Sequence, residues 1–211
     1  MLRLTRRRFS ALLGASAAAA ALPGAAFAQG AYNLFDGIPV EDQVMGDPNA
    51  PVTLVEYASM TCPHCKRWHE SVYPELKSKY IDAGKVKYIL RAFPFDGDRR
   101  GEAAFMLAYC APNGNYYPMI DALFASQDVW SRGQNPVPEL LRLAKLSGMS
   151  QDDFRACLGN QDLLTNIIKG RNKAVREFNV RATPTIFVNG VKVDDTSAAG
   201  VSKAVDAALS S

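Results

Sequence analysis

Two cysteines separated by two residues, in the run Cys62-Pro63-His64-Cys65, are the side chains of this sequence best suited to chemistry. Cysteines at this spacing can close and reopen a small disulfide ring. The run follows an apolar, strand-like stretch and begins an amphipathic helix, and the N-terminus of a helix stabilises a thiolate. Because the thiolate is the form of sulfur that attacks and leaves in disulfide exchange, the motif predicts a redox-active pair.

The position of each cysteine in the motif predicts its role. Cys62, at the start of the helix, is expected to be the exposed nucleophile with a lowered pKa, and Cys65 the shielded resolving thiol. His64 lies between them, where a partly positive imidazole would favour the Cys62 thiolate. A stabilised thiolate stabilises the reduced protein and makes the disulfide a stronger oxidant. The alternative is that His64 is a surface residue without influence.

A cysteine pair at this spacing could instead be half of a zinc site, which needs four ligands and usually a second closely spaced pair. The two other cysteines, Cys110 and Cys157, are far apart in the sequence, and the other histidine, His69, follows in the helix of the motif itself. We therefore predict no metal, and disulfide exchange requires no organic cofactor.

The elements that must position the motif are predicted by the pattern of apolar residues. Val52–Tyr57 is β-branched and aromatic, which favours a buried strand. After Cys65, apolar residues recur every four positions, which predicts a helix with one buried face, kinked at Pro74 and ended by Gly84. Val86–Leu90 then predicts a second buried strand and completes a right-handed, parallel β-α-β unit.

The second half of the chain begins with helices and returns to strands. Residues 98–178 carry only helical patterns and predict an inserted helical block. Asn189-Gly190 lies between the apolar runs Thr185–Val188 and Val191–Val193, which predicts a β-hairpin. A last helix is expected over about Ala198–Leu209.

This order of elements is that of an α/β thioredoxin fold with an inserted all-helical subdomain. We predict a flexible lead-in at residues 29–44 and a thioredoxin-like domain formed by residues 45–97 and 179–211. The helical insertion, residues 98–178, separates the two parts of that domain.

The first 28 residues have the composition of an export signal. Arg6-Arg7-Arg8 belongs to a twin-arginine-type start, an alanine-rich run follows, and Ala26-Phe27-Ala28 predicts cleavage after Ala28. Ser10 stands where the twin-arginine motif usually has an aliphatic residue, so the general secretion route stays open. The alternative, a membrane anchor, would need about 20 strongly apolar residues.

Removal of residues 1–28 changes the formal net charge from +3 to −1, because this segment contains four arginines and no acid. No basic stripe then remains to predict binding of nucleic acid, and no long apolar segment remains to predict membrane insertion. The export signal predicts a location in the periplasm, an oxidising compartment in which disulfides persist.

All four cysteines follow the predicted cleavage site, and an even number in an exported chain favours disulfides. Three pairings are possible, of which the tight Cys62–Cys65 ring is favoured, and this leaves Cys110 with Cys157. Both of the latter lie on apolar helical faces, so buried free thiols are the alternative. A disulfide between them would stabilise the fold by up to roughly 4 kcal/mol.

The run Val55–Cys65 resembles the active-site region of bacterial DsbA-type disulfide oxidoreductases, and Gly46–Pro51 is similar to the segment that leads into it. Near the C-terminus, Ala182–Thr185 resembles the cis-proline loop that faces the cysteine pair in thioredoxin folds. The resemblance implies a cis peptide bond at Thr183-Pro184. It also implies that the Thr183 backbone pairs with an incoming substrate strand.

The same resemblance implies roles for residues on the two predicted strands. Glu56 matches the family's buried acid beside the inner cysteine, which relays a proton to and from Cys65. Lys87 occupies the matching place on the neighbouring strand, where it is expected either to pair with Glu56 or to face solvent. Cys110 and Cys157 resemble a second, non-catalytic disulfide of some alphaproteobacterial members.

Together these features predict an enzyme that donates the Cys62–Cys65 disulfide to thiol pairs in exported proteins. The resemblance implies reoxidation by a quinone-linked membrane partner of the DsbB type. Residues 29–45 are too short for an oligomerisation domain, which favours a monomer. A disulfide isomerase or reductase is the first alternative, because Thr183 before the proline also occurs in isomerase-type members. A metal-binding or chaperone-like module is the second.

Overall fold

The computed structural model describes residues 30–211 of the chain. The predicted signal peptide, residues 1–28, and its cleavage site after Ala28 lie outside the described residues. Five strands of the described part form one mixed sheet: β1 (Val44–Met45), β2 (Val52–Ala58), β3 (Val86–Ala92), β4 (Thr185–Val188) and β5 (Val191–Val193). The helices of this part are α1 (Pro63–Ser71), α2 (Tyr73–Leu76), α3 (Arg99–Cys110), α4 (Tyr116–Ala125), α5 (Gln127–Arg132), α6 (Val137–Leu146), α7 (Gln151–Leu158), α8 (Gln161–Glu177) and α9 (Ala198–Leu209).

The strands are arranged in the order β1-β3-β2-β4-β5. β2 and β3 run parallel, with Val52 opposite Val86 and Ala58 opposite Ala92, and the other neighbouring pairs are antiparallel. Helices α3 to α8 lie between β3 and β4 in the chain. This arrangement matches the predicted thioredoxin fold with a helical insertion.

The central strands β2 and β3 are buried on both sides, and their alternate side chains enter two different cores. Leu54 and Tyr88 point to the side that α1 covers, which we call the α1 face. Val55 and Ile89 point to the opposite side, where Phe178, at the end of α8, packs, and we call this the α8 face. The sheet thus separates two buried environments along the same pair of strands.

The helix after the motif is interrupted, where a single kinked helix was predicted. α1 ends at Ser71, Val72 departs from helical geometry with a φ of −106°, and α2 begins anew with Pro74 in its first turn. A π-helical turn at Lys77–Ile81 follows. Proline is tolerated in the first turn because the N–H groups there have no partner inside the helix. Pro74 therefore marks the start of a second helix.

Residues 30–43, predicted to belong to a flexible lead-in, lie against the α8 face of the sheet. Leu34 is 1% exposed, and its carbonyl accepts a hydrogen bond from Arg91 over 2.7 Å. The N–H of Tyr32 donates to the carbonyl of Gly190 over 2.9 Å. The sequence pattern could not reveal this packing, because each contact depends on a partner far away in the chain.

The β4–β5 hairpin has the bounds that its sequence predicts. Asn189 and Gly190 both have positive φ, 46° and 79°, as the tight turn between two strands requires. A Cβ atom at Gly190 would also lie 2.3 Å from the carbonyl oxygen of Tyr32. Glycine is therefore needed there both for the turn and for the close approach of the N-terminal segment.

In the insertion, Cys110 and Cys157 are joined by a disulfide, with their Cα atoms 6.1 Å apart. The bond ties the last residue of α3 to the last turn of α7. Cys157 is 5% exposed and lies in the larger core together with the apolar faces of these helices. The disulfide therefore cross-links helices that already share a core.

Candidate active site

Cys62 is the N-cap residue of α1. Its backbone is extended, with φ −76° and ψ 119°, and Pro63 takes the first helical position. Since Pro63 has no N–H to leave unpaired, the N–H groups of His64 and Cys65 are the first that the helix end presents. Both act on the sulfur of Cys62. The thiol thus stands where a serine or aspartate oxygen caps other helices.

This position lowers the pKa of Cys62 to about 5. A hydrogen bond from the Cys65 thiol is the largest cause, and burial acts in the opposite direction. Thr183 and the two backbone N–H groups at the helix start make smaller contributions. A cysteine with this pKa is a thiolate at neutral pH.

Cys62 and Cys65 are free thiols in the structure, and both are covered. Cys62 is 3% exposed and Cys65 is 0% exposed. The prediction that Cys62 is exposed is therefore wrong, because the loop before β4 lies over it, with the Cys62 Sγ 3.5 Å from the carbonyl oxygen of Thr183. The order of the two thiols, outer and inner, is as predicted.

The environment of Cys65 raises the pKa of its thiol, whereas that of Cys62 lowers it. Burial raises the pKa of Cys65 far above that of an exposed cysteine, and its hydrogen bond to Cys62 and the charge of Glu56 raise it further. The two sulfurs of one motif therefore differ sharply: the outer one is ionised, and the inner one holds its proton.

Glu56 lies on β2, on the α1 face, and is 0% exposed. Its Oε2 accepts a hydrogen bond from the hydroxyl of Tyr88, whereas Oε1 has no partner among the described residues. Burial raises the pKa of Glu56 to about 7, although the hydrogen bond from Tyr88 and the charge of His69 act to lower it. The carboxyl can therefore take up or release a proton near neutral pH.

Lys87 does not pair with Glu56; its ammonium donates to the carbonyl of Pro48 over 3.3 Å. The strand register gives the reason, because Lys87 lies opposite Thr53 while Glu56 lies opposite Leu90. The expected pairing with Glu56 is therefore wrong, and Lys87 is half-buried at the edge of the structure. The partner of the buried acid is Tyr88, which the sequence analysis did not identify.

His64 is exposed, and its Nδ1 lies 2.8 Å from the guanidinium of Arg67. An arginine can only donate, so Nδ1 accepts this hydrogen bond. The ring of His64 thus faces Arg67, and an influence of its charge on Cys62 stays a prediction. His64 acts on Cys62 through its backbone N–H.

The loop that covers Cys62 contains a cis peptide bond between Thr183 and Pro184. Both residues are half-buried, and the Thr183 hydroxyl oxygen is buried without a partner among the described residues. The loop leads directly into β4, so the sheet positions it against the start of α1.

Two side chains of the insertion, neither of them predicted as a site residue, hold the segment that leads into α1. Gln127 is 1% exposed, and its Nε2 donates to the carbonyls of Met60, over 2.7 Å, and of Cys62, over 3.1 Å. The hydroxyl of Thr61 donates to the carboxylate of Asp98, the N-cap of α3. An aspartate before a helix is a recognisable capping signal, but nothing in the local sequence marks Gln127.

Between residues 30 and 211, no three histidine, cysteine or acidic side chains converge in a way that would hold a metal ion. Over the same residues, no helix is both long enough and apolar enough to cross a membrane.

Known proteins similar to this chain carry names that refer to thioredoxin or to disulfide chemistry. Residues 39–207 match the sequence profile of the family described as thioredoxin. A putative protein-disulfide oxidoreductase of Rickettsia prowazekii is 33% identical over 169 residues, which cover 80% of this chain and 61% of the relative. The chain thus spans about three fifths of the length of that curated protein. A probable disulfide bond formation protein D of Bacillus cereus is 30% identical over 152 residues, 70% of each chain.

Among solved structures, alpha-DsbA1 of Wolbachia pipientis is similar, with a TM-score of 0.74 and 33% identity. The match covers 81% of this chain and 92% of that one. The cysteine motif at a helix start, the opposing cis-proline loop and the helical insertion agree with this likeness. The chain belongs to the thioredoxin family and, within it, to the DsbA-like thiol–disulfide oxidoreductases.

Proposed function

We propose that this protein oxidises thiol pairs of exported proteins in the periplasm by donating its Cys62–Cys65 disulfide. The observation that carries the proposal is the lowered pKa of Cys62, about 5, beside a Cys65 whose pKa is raised. A stable Cys62 thiolate favours the reduced protein, and a protein that is stable when reduced is a strong oxidant.

The first step is attack by a substrate thiolate on the sulfur of Cys62. A bond forms between the substrate sulfur and Cys62, and the bond to Cys65 breaks. Cys65 leaves with the electron pair and takes up a proton, because its buried site raises the pKa of this thiol. Glu56 supplies that proton. Its own pKa is about 7, and its charge raises the pKa of Cys65.

The second step releases the oxidised substrate. Its second thiolate attacks the substrate sulfur of the mixed disulfide, and Cys62 leaves as a thiolate. The low pKa of Cys62 makes it a good leaving group in this direction. The substrate loses two electrons, and the cysteine pair of the enzyme gains them. Reoxidation then requires an electron acceptor, for which a quinone-linked membrane partner of the DsbB type is the expected one.

The cis-proline loop supports the binding part of the proposal. The carbonyl oxygen of Thr183 lies 3.5 Å from the Cys62 Sγ, so a peptide bound through its cysteine to Cys62 must pass beside the Thr183 backbone. An extended peptide can form main-chain hydrogen bonds there without any particular side chains. This suits an enzyme that acts on many unfolded chains as a monomer.

The decisive test is the equilibrium of the Cys62–Cys65 pair with glutathione. We expect a reduction potential more positive than about −200 mV, and a value near the about −270 mV of thioredoxin would overturn the oxidase direction. Absorbance of the thiolate against pH would measure the pKa of Cys62, expected near 5. Cys62→Ser should abolish oxidation of a dithiol peptide.

An assay of scrambled-disulfide repair tests the isomerase alternative. Faster repair than oxidation, in a glutathione buffer, would assign the protein to that activity. Metal analysis of the purified protein tests the metal-binding alternative. Bound metal together with activity that survives Cys62→Ser would overturn the enzymatic proposal.

A further inference from the structure

The proton that Cys65 exchanges in each turnover must reach solvent, and Glu56 cannot deliver it there alone. Glu56 is 0% exposed, and the hydroxyl of Tyr88, its one hydrogen-bond partner in the described part, is buried as well. The relay from Cys65 to Glu56 therefore lacks an outlet. Among the groups around Glu56, the imidazole of His69 is the candidate for this outlet.

His69 is placed on the same side of α1 as Cys65, because four residues are about one helical turn. It is 8% exposed. The ring is stacked on Tyr73, with centroids 4.7 Å apart, and Tyr73 in turn lies 5.1 Å from the ring of Tyr88. This aromatic row leads from the imidazole to the tyrosine that binds Glu56, so both groups belong to one buried cluster on the α1 face.

The two ring nitrogens of His69 have different surroundings. Nε2 lies 2.8 Å from a carboxylate oxygen of Asp121 on α4, whose side chain is 55% exposed. Nδ1 is buried without a hydrogen-bond partner in the described residues, as is Oε1 of Glu56. One of these atoms is a ring nitrogen and the other a carboxyl oxygen, so a proton can pass between such groups. A buried polar atom without a partner costs free energy, which favours a functional reason for keeping both.

We propose that His69 and Asp121 form the solvent outlet of the proton relay that serves Cys65. This inference rests on the proposed function, because it concerns the same exchange reaction. His69 acts through Glu56 and does not touch the reacting sulfurs. The charge of His69 also acts on the carboxyl of Glu56, in agreement with their proximity.

The proton steps balance over the catalytic cycle. When the disulfide breaks, the Cys65 thiolate takes the proton of the Glu56 carboxyl. Glu56 then takes a proton from Nδ1 of His69, while Nε2 takes one from solvent through the Asp121 carboxyl. When the disulfide forms again, each proton moves in the opposite direction and the first tautomer of the ring is restored.

The test uses His69→Gln and Asp121→Asn, which keep a hydrogen bond between the two positions but cannot pass a proton along it. Full-length protein is mixed with an excess of a peptide that contains two cysteines and with oxidised glutathione, and the multiple-turnover rate is measured at pH 7, because only repeated turnover requires Glu56 to be reloaded. We expect each variant to be about tenfold slower, less than the roughly 10²–10⁴-fold contribution of a group that transfers the proton directly, because His69 acts only through Glu56. Glu70→Gln, an exposed change on the same helix, is the matched control and should keep the rate.

A double variant separates a relay from a structural role. In a Glu56→Gln background His69→Gln should cause no further slowing, because both residues serve one path. The pKa of Cys62, measured by thiolate absorbance, should stay unchanged in His69→Gln. An unchanged rate in the single variants, or equal slowing with and without Glu56, would overturn the outlet.

A failure of the His69–Asp121 proposal can be told apart from a failure of the proposed oxidase function. If Glu56→Gln alone reacts at the wild-type rate, the outlet is refuted along with the relay role of Glu56. The glutathione equilibrium and the Cys62→Ser variant would still decide whether the protein is an oxidase. Circular dichroism of each variant verifies the fold before its rate is compared.

Discussion

The two faces of the β2–β3 strand pair each bury an ionisable side chain, but the two side chains differ in how completely they are hydrogen-bonded. On the α8 face Arg91 is 5% exposed and forms an ion pair with Asp42. On the α1 face Glu56 is 0% exposed and has a tyrosine as its partner. Because neighbouring residues on a strand point to opposite faces, Glu56 and Tyr57 belong to different environments.

On the α8 face the charge is fully paired. The guanidinium of Arg91 donates to both oxygens of Asp42, over 2.7 and 2.6 Å, to the carbonyl of Leu34 and to the hydroxyl of Tyr57. A buried charge with this many partners has a structural role: it holds the N-terminal segment against the sheet. No proton needs to move there.

On the α1 face one oxygen of Glu56 is left without a partner among the described residues, and the pKa of Glu56 is raised to about 7. The incomplete pairing costs stability and leaves a carboxyl that can exchange its proton near neutral pH. In this molecule the α8 face thus buries a fully paired charge, whereas the α1 face buries an acid with one oxygen unpaired among the described residues.

The largest effect is expected from Arg91→Leu. It should lower the free energy of unfolding by about 3–5 kcal/mol, because Asp42 is left as a largely buried charge without its partner. Denaturant unfolding measures this, and the pKa of Cys62 should stay the same. Arg155→Leu removes an ion pair with an arginine that is 68% exposed and should have little effect. Equal losses in both variants would refute the contrast.

The next largest effect is expected from Glu56→Gln, which should change how the free energy of unfolding depends on pH. In the folded protein the carboxyl has a pKa of about 7 against an ordinary 4.5, so the folded state binds more protons between these values. The stability therefore falls as the pH rises from 4.5 to 7, by about 3 kcal/mol in total, and Glu56→Gln should remove this fall.

This slope is best measured in a Cys62→Ser background. The lowered pKa of Cys62 gives reduced wild-type protein a stability that rises with pH above 5, which would mask the fall due to Glu56. Urea unfolding at pH 4.5 and pH 8 then isolates the acid. Glu75→Gln, an exposed change on α2, is the control. If the slope persists in Glu56→Gln, the acid on the α1 face is not the titrating group.

A smaller, pH-dependent loss is expected from Tyr88→Phe. The substitution leaves the carboxylate of Glu56 without its donor and should raise the pKa of Glu56 further. We expect a loss of about 1–3 kcal/mol that grows above pH 7, where the charged form must be buried. Unfolding at pH 5 and pH 8 measures the difference, and a loss that is equal at both values would contradict this role of Tyr88.

The smallest effect is expected from Tyr57→Phe, the matched change on the α8 face. Tyr57 accepts one hydrogen bond from Arg91, which keeps its other partners. The loss should be about 1 kcal/mol and the same at pH 5 and pH 8, because the pKa values of the Tyr57 hydroxyl and the Arg91 guanidinium are both raised, so both groups keep their protons in that range. A pH-dependent loss would show that the two faces are coupled.

Local patterns were sufficient for the features that neighbouring residues decide. Asn189-Gly190 predicted the hairpin with its observed bounds, because a two-residue turn with positive φ depends on those residues alone. The cysteine motif predicted a thiol at a helix start, because the proline and the apolar spacing around it are local signals. The prediction of exposure at Cys62 was wrong, since a loop 121 positions away covers it.

The sequence by itself predicted the outer thiol, Cys62, and the inner thiol, Cys65, and the family resemblance implied that Glu56 is a buried acid beside them. Only the tertiary structure decided what surrounds them. It placed Tyr88, not Lys87, beside the acid, set the ring of His64 against Arg67, and brought Gln127 to the motif. The reason is physical: strand register and helix packing set these contacts, and both depend on burial across the whole chain.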